Sequence, residues 1–346
     1  MSRYFPLMLA PMAELSHRPL RELIHGFSSY SITAATGQVQ APKTTVLYFT
    51  EMISAAGLLA GGSFEKWYLD NGPCPGQLVY QLMGDDTEKL VKAAILLDRQ
   101  ECCGIDINMG CSAPAITRTG AGVRWMEDAE KAARLIGALR KVTKKQLSAK
   151  IRLGPRHINA HDSRSVITAT SEGPQVTEFL VIFCRGLEEA GLDLITLHPR
   201  LAAEKFKRKA RWEYVEALRK ELHIPVAGNG DIDSIEALAC KAAEGPVMAG
   251  RLLVRQPWAF AAVMGSNGIQ ASAITAKIEE TGLRFLELLA QYQPPEFHLS
   301  RARRFFKYYC DNVQWSEHLR NKINREESLA GIERVWRGYF TDPGSS

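Results

Sequence analysis

Short apolar runs alternate with stretches of helical periodicity along roughly the first 260 residues. Residues 7–10 (Leu-Met-Leu-Ala) form a first strand that ends at Pro11-Met12, and a helix follows from about Ser16, with Ser16 as N-cap and Pro19 in its first turn. Residues 31–35 read as strand two and the small residues of 50–59 as a helix. Residues 78–82 are strand three. Its helix is announced by Asp85-Asp86-Thr87-Glu88 and carries Leu90, Val91, Ala94 and Leu97 on one face. Strand four runs through Gly104-Ile105-Asp106-Ile107-Asn108-Met109 into Gly110-Cys111, and residues 126–142 are its helix. Residues 147–151, 194–197, 224–227 and 247–249 supply strands five to eight, with helices over 176–190, 212–222 and 234–243 and a short last one from about Pro257. Residues 155–174 are a polar insertion rich in Ser, Thr and His.

Eight β/α units in this order predict a TIM (β/α)8 barrel. An open doubly wound sheet is the structural alternative, but the Gly-x-Gly-x-x-Gly turn it usually carries after an early strand is absent. The pattern then changes. Residues 266–275 read as a linker, and 276–292, 299–313, 316–323 and 329–340 are all helical, with Pro294-Pro295 between the first two. The expected organisation is a catalytic barrel over 1–265, a linker over 266–275 and a small helical bundle over 276–346.

Composition narrows the class of protein. A hydrophobic fraction of 46% with 23% charged residues provides for a large core, and the net charge of +5 permits a polyanionic partner without requiring one. Seven scattered cysteines without a signal peptide argue against a disulfide framework and for the cytoplasm. No cysteine or histidine cluster has zinc spacing, so no metal is expected, and no run is long enough to span a membrane.

Chemistry enters at the strand ends. Pro11-Met12, Gln81, Asn108 with Cys111, Lys150 with Arg152, His198 with Arg200, Asn229-Gly230 and Gly250-Arg251 each sit at or just past the C-terminal end of a strand, so a barrel brings them to one face. Singly, each has an ordinary structural use: a turn amide, a rim charge, a core histidine. Jointly they suit a ligand. The glycine loops after strands seven and eight let backbone N–H groups approach an anion, and Arg251 adds a charged contact, which points to a phosphorylated ligand. Lys150 and His198 would face an electron-accepting ring and Gln81 and Asn108 its amide-like edges, as FMN requires.

This combination resembles the tRNA-dihydrouridine synthases. The resemblance is carried by Ala10-Pro11-Met12, Thr50-Glu51-Met52, Gln81-Leu82-Met83-Gly84, Asp106-Ile107-Asn108-Met109-Gly110-Cys111, Lys150-Ile151-Arg152-Leu153-Gly154, His198-Pro199-Arg200 with Trp212, Gly228-Asn229-Gly230-Asp231-Ile232 and Ala249-Gly250-Arg251. It implies a barrel holding FMN, reduced by NADPH, that delivers a hydride to C6 of a uracil in RNA while a cysteine protonates C5. Cys111 takes the position of that cysteine. The flavin contacts implied are Pro11, Met12, Gln81, Lys150, His198, Asn229, Gly230, Gly250 and Arg251. Asn108, Arg152 and Arg200 would hold the uracil, and the helical tail would recognise RNA.

The substrate loop departs from the family's pattern. Ser112 replaces the proline that usually follows the cysteine, Pro114 replaces a lysine, and Leu201 closes the His198-Pro199-Arg200 element. The expected substrate is tRNA, with rRNA as the alternative, and the chain is expected to be a monomer. A uridine in folded RNA must leave its stack to react. Phosphate-binding charge is available in Arg301, Arg303, Arg304 and Lys307, in Arg320, Lys322 and Arg325, and in the run 205–211. The tail aromatics Phe305, Phe306, Tyr308, Tyr309 and Trp315 read as a core. A small-molecule flavin reductase of the dihydroorotate-dehydrogenase or enoate-reductase kind would share the barrel but leave the basic tail unexplained. An RNA-binding protein with an inert barrel would leave Cys111, Lys150 and His198 unexplained.

Overall fold

The computed structural model describes residues 7–36, 46–154, 174–204, 207–264 and 277–341. Residues 155–173 of the expected polar insertion and the whole expected linker fall outside the described residues, as does the start of the basic run 205–211, while residue 174 begins the helix Pro174–Glu189.

Eight parallel strands close into a barrel: β1 (Leu7–Leu9), β2 (Val46–Ser54), β3 (Leu78–Met83), β4 (Gly104–Met109), β5 (Gln146–Arg152), β6 (Leu194–His198), β7 (Val226–Asn229) and β8 (Val247–Ala249). Pairing of Leu7 with both Val46 and Val247 seals the ring. Strand alternation sorts the side chains. Ile105, Ile107 and Met109 of β4 join the apolar layer between barrel and helices, while Asp106 and Asn108 point to the interior. The floor of that interior is a plug of Met8, Leu47, Phe49, Val79, Leu194, Ala227 and Met248. Apolar residues thus fill one half of the barrel and polar residues line the other.

Two expectations fail around the second strand. Residues 31–35 belong to the helix Arg18–Thr36, and the second strand is Val46–Ser54. The short Ile/Thr run has strand propensity, but it continues a helix, and local propensity yields to that context. Residues 50–54, expected to be helical, extend β2, where Val46 and Leu47 pair with β1 and Tyr48 and Phe49 with β3. The helix begins later, as Ala55–Ala60, with the Ser54 side chain accepting from Gly57 N–H and Gly61 ending it in the left-handed region. Nor does Ser16 cap the first helix. Its hydroxyl exchanges hydrogen bonds with Met12 N at 2.8 Å and Met12 O at 3.1 Å, folding the loop after β1.

The four tail helices run Ile278–Tyr292, Pro295–Tyr309, Ser316–Arg325 and Leu329–Thr341. Phe285, Phe305, Phe306, Tyr309 and Trp336 are their core, with the Phe285 and Phe305 rings stacked at 3.7 Å. This bundle packs on the barrel, the first of its helices against Arg18–Thr36 and the second against Arg251–Arg255. Trp315 departs from the expected aromatic core: it is 71% exposed and sits at φ 50°. No helix among the described residues is long and apolar enough to cross a membrane.

Candidate active site

The C-terminal ends of the strands open into a cavity of about 680 Å³. Pro11, Met12, Asn108, Cys111, Lys150, Arg152, His198, Arg200, Asn229, Gly230, Gly250 and Arg251 all line it. Eleven of these are strand-end residues that the barrel was expected to gather, and Cys111 is the twelfth, one turn beyond β4.

The cavity is strongly cationic. The Lys150 ammonium makes no hydrogen bond to a described residue, and burial together with the charge of Arg152 brings its pKa down to about 8, against the opposing pull of Asp106 and Cys111. His198 is held neutral, far below the usual imidazole range, by burial and by the surrounding Lys150, Arg152, Arg200 and Arg251. Arg200 Nη1 lies 2.9 Å from His198 Nε2. Because a guanidinium only donates, this nitrogen accepts and the ring proton resides on Nδ1. Arg200 is itself fixed by Asp231, at 2.5 and 2.6 Å to the two carboxylate oxygens, and by Arg208 O at 2.5 Å.

Glycine makes room where strands seven and eight end. Gly230 has φ 122°, and a Cβ there would lie 2.9 Å from His198 Cδ2. A Cβ on Gly250 would meet Met12 Sδ at 3.0 Å. Main chain therefore lines the cavity directly at both loops, beside Arg251.

The loop after β4 is held from several sides. Asn108 Oδ1 accepts from Cys111 N–H at 2.9 Å, Arg152 Nε donates to Gly110 O at 2.9 Å, and Val123 N–H donates to Cys111 O at 3.0 Å. Gly122 makes that last bond's approach feasible: its φ is 65°, and a Cβ would fall 2.4 Å from Cys111 O. The Cys111 side chain is half-buried at the cavity wall.

The profile of the dihydrouridine synthase family matches residues 8–337. The chain belongs to the dihydrouridine synthase family. It is an oxidoreductase by that membership. Among similar proteins, tRNA-dihydrouridine synthase B of Xanthomonas axonopodis pv. citri is 25% identical over 340 residues, 96% of this chain and 92% of that protein. A probable tRNA-dihydrouridine synthase of Aquifex aeolicus is 29% identical over 266 residues, 73% of this chain and 71% of that protein. Solved structures match more distantly: a 2-naphthoyl-CoA reductase with 2-naphthoyl-CoA shares 12% identity at a TM-score of 0.48, over 75% of this chain and 50% of that one.

Within this family member, Gln81 stands apart from the other expected contacts. It is fully buried behind Asn108 and outside the cavity lining, with Nε2 donating to Asp106 at 2.7 Å and Oε1 accepting from Asn108 at 2.9 Å. Pro114, at the family's lysine position, starts the short helix Pro114–Thr117 and lines the cavity beside Ser112. Three cavity residues come from the tail: Arg304, Lys307 and Tyr308. The basic pattern of that helix was legible in the sequence, but its approach to the barrel mouth was not. Tyr308, expected in the aromatic core, is half-buried at the cavity instead. Arg301, on the same helix, is buried and outside the cavity lining.

A second, adjoining cavity of about 800 Å³ shares Arg304, Lys307 and Tyr308 with the first and continues along Arg303, Arg320, Asn321 and Asn324. Of the basic run after β6, Arg211 and Arg208 pair with buried Glu204 at 2.7 and 3.7 Å, while Lys207 and Lys209 are exposed. No group of three or more His, Cys, Asp or Glu suited to a metal occurs among the described residues.

Proposed function

We propose that the chain reduces the C5–C6 bond of a uridine in RNA to 5,6-dihydrouridine, using FMN and NADPH, with tRNA as the RNA by analogy to the names of its relatives. One observation carries this reading: the Cys111 thiol and the Asn108 amide share a single cavity with Lys150, His198 and the two glycine loops. The residues present suit FMN. The Lys150 ammonium lacks a hydrogen-bond partner among the described residues, four arginines line the cavity, and main chain is exposed at Gly230 and Gly250. A phosphate would take the glycine loops and Arg251, and an electron-rich ring edge would take Lys150 and His198 Nδ1–H.

Bound there, FMN reduced by NADPH supplies a hydride for uracil C6. The chain's own residues complete the addition. Cys111 gives its thiol proton to C5, so the base gains one hydride and one proton, and solvent restores the thiol. Asn108 offers a Nδ2 N–H to the base, and Arg152, tied to Gly110 O, holds the loop that carries the thiol. The base must be extruded to enter, and Arg304, Lys307 and Arg320 in the adjoining groove would bind the flanking phosphates. In this reading the tail is the RNA-recognition part of the molecule.

The test is a visible absorption spectrum of the purified protein followed by NADPH-dependent dihydrouridine formation on tRNA and on rRNA. A flavin spectrum, with product formed by the wild type and reduced at least a hundredfold by Cys111→Ala, is the expected result. Absence of flavin, or an undiminished Cys111→Ala, overturns the reading. Turnover of a free enoate or dihydroorotate with none on RNA would assign the small-molecule class instead.

A further inference from the structure

Asp106 carries a carboxyl on the inner face of β4 with no exposure to solvent, and it is not among the residues lining the cavity. Its Oδ2 accepts from Gln81 Nε2 at 2.7 Å and its Oδ1 from the Ser148 hydroxyl at 2.6 Å. Gln81 and Ser148 are its register partners on β3 and β5. The chain of bonds continues from Gln81 Oε1 to Asn108 Nδ2 at 2.9 Å, and from Asn108 Oδ1 to the Cys111 N–H at 2.9 Å. A buried carboxyl is thereby connected to the loop that holds the thiol.

Each amide has a donor end and an acceptor end, and a half-turn of the side chain exchanges them. A carboxylate accepts only. Ionised Asp106 therefore obliges Gln81 to present Nε2 to it and Oε1 to Asn108. Asn108 must then direct Nδ2 to Gln81 and Oδ1 to the loop, which leaves its second Nδ2 N–H for the cavity. With Asp106 neutral, or replaced by an amide, Gln81 can turn over and set its own donor against that of Asn108.

We infer that Asp106 is a positioning residue for the reaction: its carboxylate sets the polarity of the Gln81–Asn108 relay, and with it the donor offered to the base and the place of the Cys111 loop. This rests on the uridine-reducing reading of that loop. Burial pushes Asp106 up to about 6, opposed by the bonds from Ser148 and Gln81 and by Lys150. Lys150, from β5, is the charged group acting on it among the described residues. Gln81 from β3, Ser148 from β5 and Asn108 on its own strand are uncharged. The relay loses its fixed polarity as the pH falls through about 6.

The experiment is the pH profile of kcat/KM on RNA for the flavin-loaded full chain, Asp106→Asn and Ser148→Ala. The wild type should lose activity on the acid side with an apparent pKa near 6. Asp106→Asn should keep its flavin spectrum, lack that acid limb and fall about tenfold or more above neutral pH. Ser148→Ala removes a bond that favours the carboxylate, so its limb should move to higher pH. An acid limb that persists in Asp106→Asn, or that stays in place in Ser148→Ala, overturns the inference. If Asp106→Asn does not fold, the direction of the Ser148→Ala shift decides. If the wild type reduces no uridine, the uridine-reducing reading fails by itself, and melting temperature still tests the carboxylate. The native state holds the Asp106 proton more tightly, so wild-type stability should fall relative to Asp106→Asn as pH rises from about 4 to 6. No difference in that window would overturn the relay's basis.

Discussion

The Arg301 guanidinium lies 2.9 Å from the Glu51 carboxylate, with the two side chains 3% and 6% exposed. Glu51 belongs to β2 and Arg301 to the helix Pro295–Tyr309, so the pair spans the seam between barrel and tail. Glu51 also accepts from Glu14 N–H at 2.6 Å, and Arg301 donates to Gln293 Oε1. Burial raises the Glu51 pKa while Arg301 and the Glu14 N–H pull it back. The same helix delivers Arg304, Lys307 and Tyr308 to the cavity, so the pair holds the tail wall of the site in place.

Removing one partner leaves the other charge buried without compensation. Arg301→Met should cost about 3–5 kcal/mol in denaturant melts, whereas Arg301→Met with Glu51→Gln should recover much of that loss. Equal losses in the single and double variants would show that the charges are not coupled.

Gly230 should not accept a side chain. At φ 122°, with a Cβ 2.9 Å from His198 Cδ2 and 3.0 Å from Ala210 Cβ, alanine meets both backbone strain and collision. Gly230→Ala should lose about 1–3 kcal/mol of stability and most of its flavin, read by thermal melt and by the visible spectrum of the purified protein. Retention of both would mean that the loop after β7 shifts freely.

Lys150 gives the flavin-free protein an alkaline signature. Its pKa is about 8 against an ordinary 10.5, so between those values the unfolded chain binds more protons than the native one, and stability rises with pH. The window is worth up to about 3 kcal/mol. Lys150→Met should flatten melting temperature against pH over that range, and a wild type whose stability does not rise there would contradict the lowered pKa.

The sequence made most of this architecture visible because barrel strands are buried on both faces of the wall and read as apolar runs between helical patterns. The second strand was hidden because the Ile/Thr-containing end of a helix imitates a strand, while Thr50-Glu51-Met52 looks too polar for one. Glu51 is tolerated in β2 only because Arg301, 250 positions later, meets it. Strand ends located eleven of the cavity's residues, nine of them polar or glycine, since in-register parallel strands present their ends together. What strand ends do not reveal is which side chain satisfies another. Gln81 pairs in register with Asp106, one layer below Asn108, so Asn108 faces the cavity and Gln81 lies beneath it. Asp106 stood in the sequence only as a member of the Asp106–Cys111 motif, and its partners Gln81 and Ser148 are set by register.

The groove beyond the cavity predicts how RNA binding responds to salt. Arg304 and Lys307 line both cavities, whereas Lys322 and Arg325 lie on a neighbouring helix outside either lining. Each cation that neutralises a phosphate releases counterions, so its loss lowers the slope of log affinity against log salt by about 0.7–0.9. Arg304→Gln with Lys307→Gln should therefore weaken RNA binding and reduce the slope by roughly 1.5. Lys322→Gln with Arg325→Gln changes net charge equally but should leave the slope nearly unaltered. Arg304 also sits 3.3 Å from Glu14, with both side chains largely exposed, and this exposed pair should contribute little to stability, so the melting temperature of the first double variant should stay within a few degrees of wild type. Equal slopes for the two double variants, measured by titration over a range of salt concentrations, would mean that the phosphates follow general surface charge and not the groove that opens onto Cys111.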